Sequence, residues 1–150
     1  MRRLVLIPLL LAGCPDVETL DCTSMGCVDG LEVFFQRDDY PPGVYTVELD
    51  LHGELIHCQA TIPLDSDASD GCSDGRVSLF LSGSMLEVSE QSIDGFYLDS
   101  VDPSALAVTV SLDGAQIGYA AFEPGYQTLQ PNGPECEPTC SYASRDLQLD

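Results

Sequence analysis

The residues best suited to chemistry are carboxylates set at alternate places. Asp65-Ser66-Asp67-Ala68-Ser69-Asp70-Gly71, with Asp74 just beyond, packs four acidic side chains into ten residues. Ca²⁺ takes about six to eight oxygen ligands, and such a run could supply several. The fit to a helix-flanked calcium loop is partial. Gly71 stands one place later than that pattern wants, and Arg76 occupies the place of the bidentate Glu. The plainer reading is a solvated acidic loop cross-linked through Cys72. Nucleophilic catalysis would need His52 or His57, the two histidines of the chain. His52 falls in a turn. His57 is expected to face outward across from Glu48, as an ordinary cross-strand pair. There is no Gly-x-Ser-x-Gly elbow, no His-Glu-x-x-His and no phosphate-cradling glycine loop. With 25 acidic residues in the chain, any single carboxylate pair is uninformative. No catalytic residue is assigned, and the chain is expected not to be an enzyme.

Short strands must position these residues. Leu31 to Gln36 sets Leu31, Val33 and Phe35 on one side and Glu32, Phe34 and Gln36 on the other, a period of two. Val44 to Leu51 alternates more clearly, with Tyr45, Val47, Leu49 and Leu51 on one face. His52-Gly53 is a two-residue turn, and Leu55 to Ile62 returns. Folding there sets Leu49 opposite Ile56, Val47 opposite Cys58 and Tyr45 opposite Ala60, all on one face. Arg76 to Ser82, Met85 to Glu90 and Ile93 to Ser100 read as further strands, the last with Phe96 and Leu98 inward. Asp113-Gly114 suits a type I′ turn. Around it, Leu112 faces Ala115, Val110 faces Ile117, Val108 faces Tyr119 and Leu106 faces Ala121. The four prolines between Glu123 and Thr139 predict a long irregular connection. Ser141 to Asp150 reads as a final edge strand, with Arg145 as an inward guard charge.

No segment has a helical period. Roughly seven to nine strands joined by Gly, Pro and Asp turns predict an all-β fold, a single antiparallel β-sandwich over residues 31–150. An eight-stranded barrel is the alternative. The spacing resembles immunoglobulin-like or fibronectin-type domains, without the Cys–Trp–Cys core, because the chain has no Trp.

The start of the chain carries a second resemblance. Met1-Arg2-Arg3, the apolar run Leu4 to Leu10 and then Leu11-Ala12-Gly13-Cys14 have the layout of a secretory signal with small residues before its cut. The apolar run is far below the roughly 20 residues that span a bilayer. Leu-Ala-Gly-Cys resembles the lipobox of bacterial lipoproteins. That resemblance implies removal of residues 1–13 and a diacylglycerol on the sulfur of Cys14. Residues 14–30 then form a tether, its later part pinned by Cys22 and Cys27. The implied location is the bacterial cell envelope, with the outer membrane favoured over the inner.

Charge and cysteines agree with export. The 137 residues from Cys14 to Asp150 hold Arg37, Arg76 and Arg145 against 25 acidic residues, a formal charge of −22. So acidic a surface repels nucleic acid and anionic lipid head groups, which leaves the acyl chains as the route to the membrane. Besides Cys14 there are six cysteines, Cys22, Cys27, Cys58, Cys72, Cys136 and Cys140. An even set in an exported chain reads as disulfides. Cys58–Cys72 is the preferred pair. Cys22–Cys27 and Cys136–Cys140 are local options, beside pairs that join the N-terminal segment to the C-terminal loop. Cys136-x3-Cys140 has a metal-ligand spacing but no second pair to complete a site. The expected function is a non-enzymatic structural or interaction module with an envelope or extracellular protein partner. Calcium-dependent adhesion or ligand binding through loop 63–75 is the first alternative, with no other cofactor implied. A hydrolase is the second.

Overall fold

A computed structural model describes residues 22–65 and 71–150. The signal segment, Cys14, the first part of the tether, Asp67 and Asp70 lie outside the described residues. Within them, alternating apolar side chains build nine strands: β1 (Gly30–Gln36), β2 (Gly43–Leu51), β3 (Glu54–Ile62), β4 (Val77–Ser82), β5 (Ser92–Asp99), β6 (Leu106–Leu112), β7 (Ala115–Phe122), β8 (Gln127–Leu129) and β9 (Cys140–Gln148). They form two sheets, β4-β5-β1-β9-β8 and β3-β2-β6-β7. Leu31, Val33, Phe96 and Leu98 of the first sheet share one core with Tyr45, Val47, Leu49, Ile56 and Val108 of the second. Each is fully buried, worth about 1.5–3 kcal/mol for a large aliphatic or aromatic side chain.

The β2–β3 hairpin has the predicted register, with Leu49 opposite Ile56, Val47 opposite Cys58 and Tyr45 opposite Ala60. His52 and Gly53 take positive φ at its turn. The β6–β7 hairpin turns at Asp113-Gly114, also with positive φ at both residues. A β-bulge then interrupts it. Ser111 faces Gln116, the next pair is Val110 with Gly118, and Ile117 is left unpaired. One extra residue reverses the faces of everything beyond it. Tyr119 is therefore 58% exposed rather than buried. The bulge also frees the Ile117 carbonyl, which accepts the Asp150 amide at 2.7 Å. Leu149 lies against Gly118, in space that a Cβ would fill.

Nothing crowds the Cβ position of Gly114, so only backbone strain opposes a side chain there. Gly114→Val is expected to destabilise by more than about 1 kcal/mol, read from the urea unfolding midpoint. An unchanged midpoint would remove the type I′ assignment.

Three other expectations need correction. Met85 to Glu90 forms no strand. The chain turns after Gly83, Leu86 donates its amide to the Gly83 carbonyl, and Val88–Glu90 makes a single 3-10 turn. Leu86 is 56% exposed and only Val88 reaches the core. The irregular connection contains the short strand β8, paired to the start of β9. Finally, β9 is not a simple edge strand in an antiparallel sheet. It lies between β1 and β8 and runs parallel to β1 over seven paired positions. Parallel neighbours need a long crossover, and here most of the domain serves as one. Past β8, however, no strand among the described residues pairs with the outer edge of β9. Arg145 sits there, donating to the Ser144 and Glu123 carbonyls.

Both β1 and β9 start at one end of the molecule and finish at the other. The near end carries residues 22–29, the β2–β3 turn and the loops after β5 and β7. The far end carries the connections from β1 to β2 and from β4 to β5, the β6–β7 turn and the C-terminus.

Candidate functional site

Asp65 is exposed at one margin of the acidic loop. Asp74, at the other, is already engaged. Arg76 donates Nε to its Oδ1 at 3.0 Å and Nη2 to its Oδ2 at 2.6 Å, while the Arg76 amide also donates to Oδ1. These bonds pull the Asp74 carboxyl down to about 2 and raise the guanidinium. Arg76 also reaches Glu54 of β3. A carboxylate held this way clasps the start of β4, and a cation there would have to compete with the guanidinium. Among the described residues, no three His, Cys, Asp or Glu side chains gather as metal ligands do. The loop instead closes an edge. Gly71 exchanges backbone hydrogen bonds with Gln59, and the Ser73 amide donates to the His57 carbonyl. Cys72 falls between them and is joined to Cys58, their Cα atoms 3.9 Å apart. The free side of β3 is thus partly covered, which blunts it against pairing with other chains.

The histidines stand apart. His57 Nδ1 is 3.3 Å from Glu48, both half-exposed, as the register of β2 and β3 requires. His52 Nε2 lies 3.4 Å from the Ser104 hydroxyl, beside an open hollow of about 400 Å³ over Leu106 and Phe122. Asp50 lines the same hollow, but its Oδ1 accepts the Gly53 amide at 2.6 Å. It braces the turn and makes no hydrogen bond to the imidazole. The three residue types of a hydrolytic triad are close here, without the chain of hydrogen bonds that makes a serine nucleophilic.

The near end is built around Asn132, only 8% exposed. Its Oδ1 accepts from the Thr23 hydroxyl and the Met25 amide, and its Nδ2 donates to the carbonyls of Met25 and Glu137. One side-chain amide thereby holds residues 23–25 as a strand neighbour would. Cys22–Cys136 and Cys27–Cys140 flank it. The local options Cys22–Cys27 and Cys136–Cys140 are replaced by these long-range bridges. Asp29 completes the dock, its carboxylate accepting the Ser141 amide at 2.6 Å and its carbonyl the Tyr97 hydroxyl. Sequence reasoning missed Asn132. Its only mark was its place among prolines, in Pro131-Asn132-Gly133-Pro134.

The far end holds a cavity that the sequence did not reveal. A cavity of about 310 Å³ lies between the loop after β1 and residues 89–94, with Arg37, Tyr40 and Asp94 in its lining. Tyr40 is 8% exposed, yet its hydroxyl has no hydrogen-bond partner, and neither has the buried Nη1 of Arg37. The guanidinium carbon is 5.9 Å from the centre of the Tyr40 ring. Burial first, then Asp94, pushes the Tyr40 hydroxyl up to about 12, with Arg37 opposing. It therefore keeps its proton and can donate. Gln91 fixes the wall, accepting the Leu64 amide at 2.6 Å and donating to the Leu86 carbonyl. A second hollow of about 420 Å³, over Pro41, Pro42 and Val88, shares Asp39, Tyr40 and Ser89 with the first.

No protein-family model matches the chain, and no curated protein or solved structure matches it.

Proposed function

We propose that this protein is a lipid-anchored module of the bacterial cell envelope that binds rather than catalyses. In this reading residues 1–13 are removed and Cys14 carries the lipid, with the outer membrane favoured over the inner. The observation that carries it is the fastening of residues 22–29. Two disulfides, Asn132 and Asp29 secure the first described residues to the near end. Fully extended, the eight steps from Cys14 to Cys22 span at most about 28 Å. The near end then faces the membrane, and the far end is presented to partners.

An immunoglobulin-like fold belongs to the same proposal. The orders β4-β5-β1 and β3-β2-β6-β7 correspond to strands D-E-B and C′-C-F-G of that architecture. The place of strand A is taken by β9, running parallel to β1. Fold alone does not assign function.

The mass of the mature N-terminus tests the anchor. The expected species begins at Cys14 and carries a diacylglycerol. An N-terminus at another residue, or a free Cys14 thiol, overturns the reading.

A further inference from the structure

We propose that the loop between β4 and β5 is a docking finger for another protein, whose matching segment carries an apolar side chain flanked by Lys or Arg. The proposal rests on the reading of the far end as the binding end and does not depend on the lipid at Cys14.

The finger is braced to hold apolar side chains in water. Leu86 donates its amide to the Gly83 carbonyl at 2.8 Å, which makes a turn with Ser84 and Met85 at its tip. Turn tips favour Gly, Pro, Asn, Asp and Ser, yet Met85 is 84% exposed and Leu86 56%. The neck of the loop is closed. Gly83 takes a φ of +81°, and a Cβ there would lie 2.5 Å from the Glu90 carbonyl oxygen. Gln91, only 5% exposed, donates to the Leu86 carbonyl and accepts the Leu64 amide. Met85 and Leu86 are thus kept outward, although an apolar hollow over Pro41, Pro42 and Val88 lies at the base of the same loop. Val88 is three residues from Met85, at most about 11 Å. Single exposed apolar residues are ordinary, but tip and hollow together make one two-part apolar surface. Methionine suits such a surface, because its unbranched chain repacks against varied partners.

Size and charge choose the occupant. A small apolar ligand would fill the hollow of about 420 Å³ and leave the finger in water, whereas a polypeptide reaches both. Asp39 lines the hollow and Glu87 stands between Leu86 and Val88, both exposed. Exposed Asp38 and Glu90 line the adjoining cavity, against the single charge of Arg37. A second copy offers no basic surface, and nucleic acid or an anionic bilayer is repelled. An apolar anchor with basic neighbours matches both parts.

The test selects phage-displayed linear peptides of random sequence on the mature protein in detergent, then measures the recovered peptides by calorimetry at about 0.15 M salt. The expected consensus is an apolar residue flanked by Lys or Arg. The double variant Met85→Ser, Leu86→Ser is expected to weaken binding about tenfold or more. It leaves the charge unchanged, so this loss separates the finger from general attraction between a basic peptide and an acidic protein. Its thermal midpoint should match the wild type, because both side chains are exposed. Leu55→Ser, which removes a similarly exposed side chain at the near end, should bind as the wild type does. Enrichment of no peptide, or of peptides without basic residues, would overturn the proposal. So would binding that the double variant leaves intact, an equal loss in Leu55→Ser, a lowered midpoint for the double variant, or a dimer in sedimentation that the double variant abolishes. A mature protein without lipid at Cys14 would remove the anchor and leave this binding as it is.

Discussion

Replacing Cys22, Cys27, Cys136 and Cys140 together with Ser is expected to leave the domain at or near unfolding. Cys22–Cys136 and Cys27–Cys140 close loops of 114 and 113 residues. On chain entropy alone, either would contribute about 5 kcal/mol if it were the only one. Their loops overlap almost completely, however, because the two bridges interleave. Once one is closed, the other closes a ring of only about ten residues, worth about 3 kcal/mol. Removing either bridge should therefore lose about 3 kcal/mol, and removing both about 7–8 kcal/mol. The whole stability of a domain is typically about 5–15 kcal/mol. Urea midpoints of the two double variants and the quadruple variant measure this. Losses that simply add would mean that the bridges close independent loops. An unaffected quadruple variant would mean that Asn132 and Asp29 hold the N-terminal segment without help.

The second large effect is on location. Cys14→Ser is expected to move the protein from the detergent phase to the aqueous phase. Each buried CH₂ contributes about 0.8 kcal/mol, and more than one acyl chain gives stable anchoring. The domain offers nothing in its place, because its surface is acidic and it has no Lys. Folding should survive the substitution, since the other six cysteines pair among themselves. A Cys14→Ser protein that stays with membranes through a high-salt wash, with its signal segment cleaved normally, would falsify the lipoprotein assignment. Release of wild type and variant alike into the aqueous phase would do the same.

What the sequence made legible was local. The β2–β3 register could be read because both strands are buried on one face and the turn has two residues. Cys58–Cys72 could be read because its partners lie 14 residues apart. The β6–β7 turn was equally plain, but the bulge was not. Its one signal was Gly118, an isolated glycine in a strand pattern, and the space it leaves is used by Leu149 from another element. The parallel pairing of β1 with β9 joins residues more than a hundred positions apart, and nothing local in either strand specifies it. The far-end cavity was hidden for a similar reason. Arg37 and Tyr40 follow β1, whereas the facing wall comes from residues 89–94, next to a segment whose two apolar residues imitated a strand. The acidic loop drew attention through composition, and the pairing of its last carboxylate, Asp74, with Arg76 two residues on was not foreseen.

The shared starting point of β1 and β9 has a mechanical consequence. A pull on the N-terminus enters at Cys22 and Cys27 and passes at once, through covalent bonds, to Cys136 and Cys140. The load divides between two adjacent strands drawn from the same end in the same direction. It puts little force across the hydrogen bonds between them. To open the sheet, β1 and β9 must slide together past β5, breaking that ladder all at once instead of bond by bond. Gripped at its far end and held at its near end, the domain behaves as a stiff strut rather than a zipper.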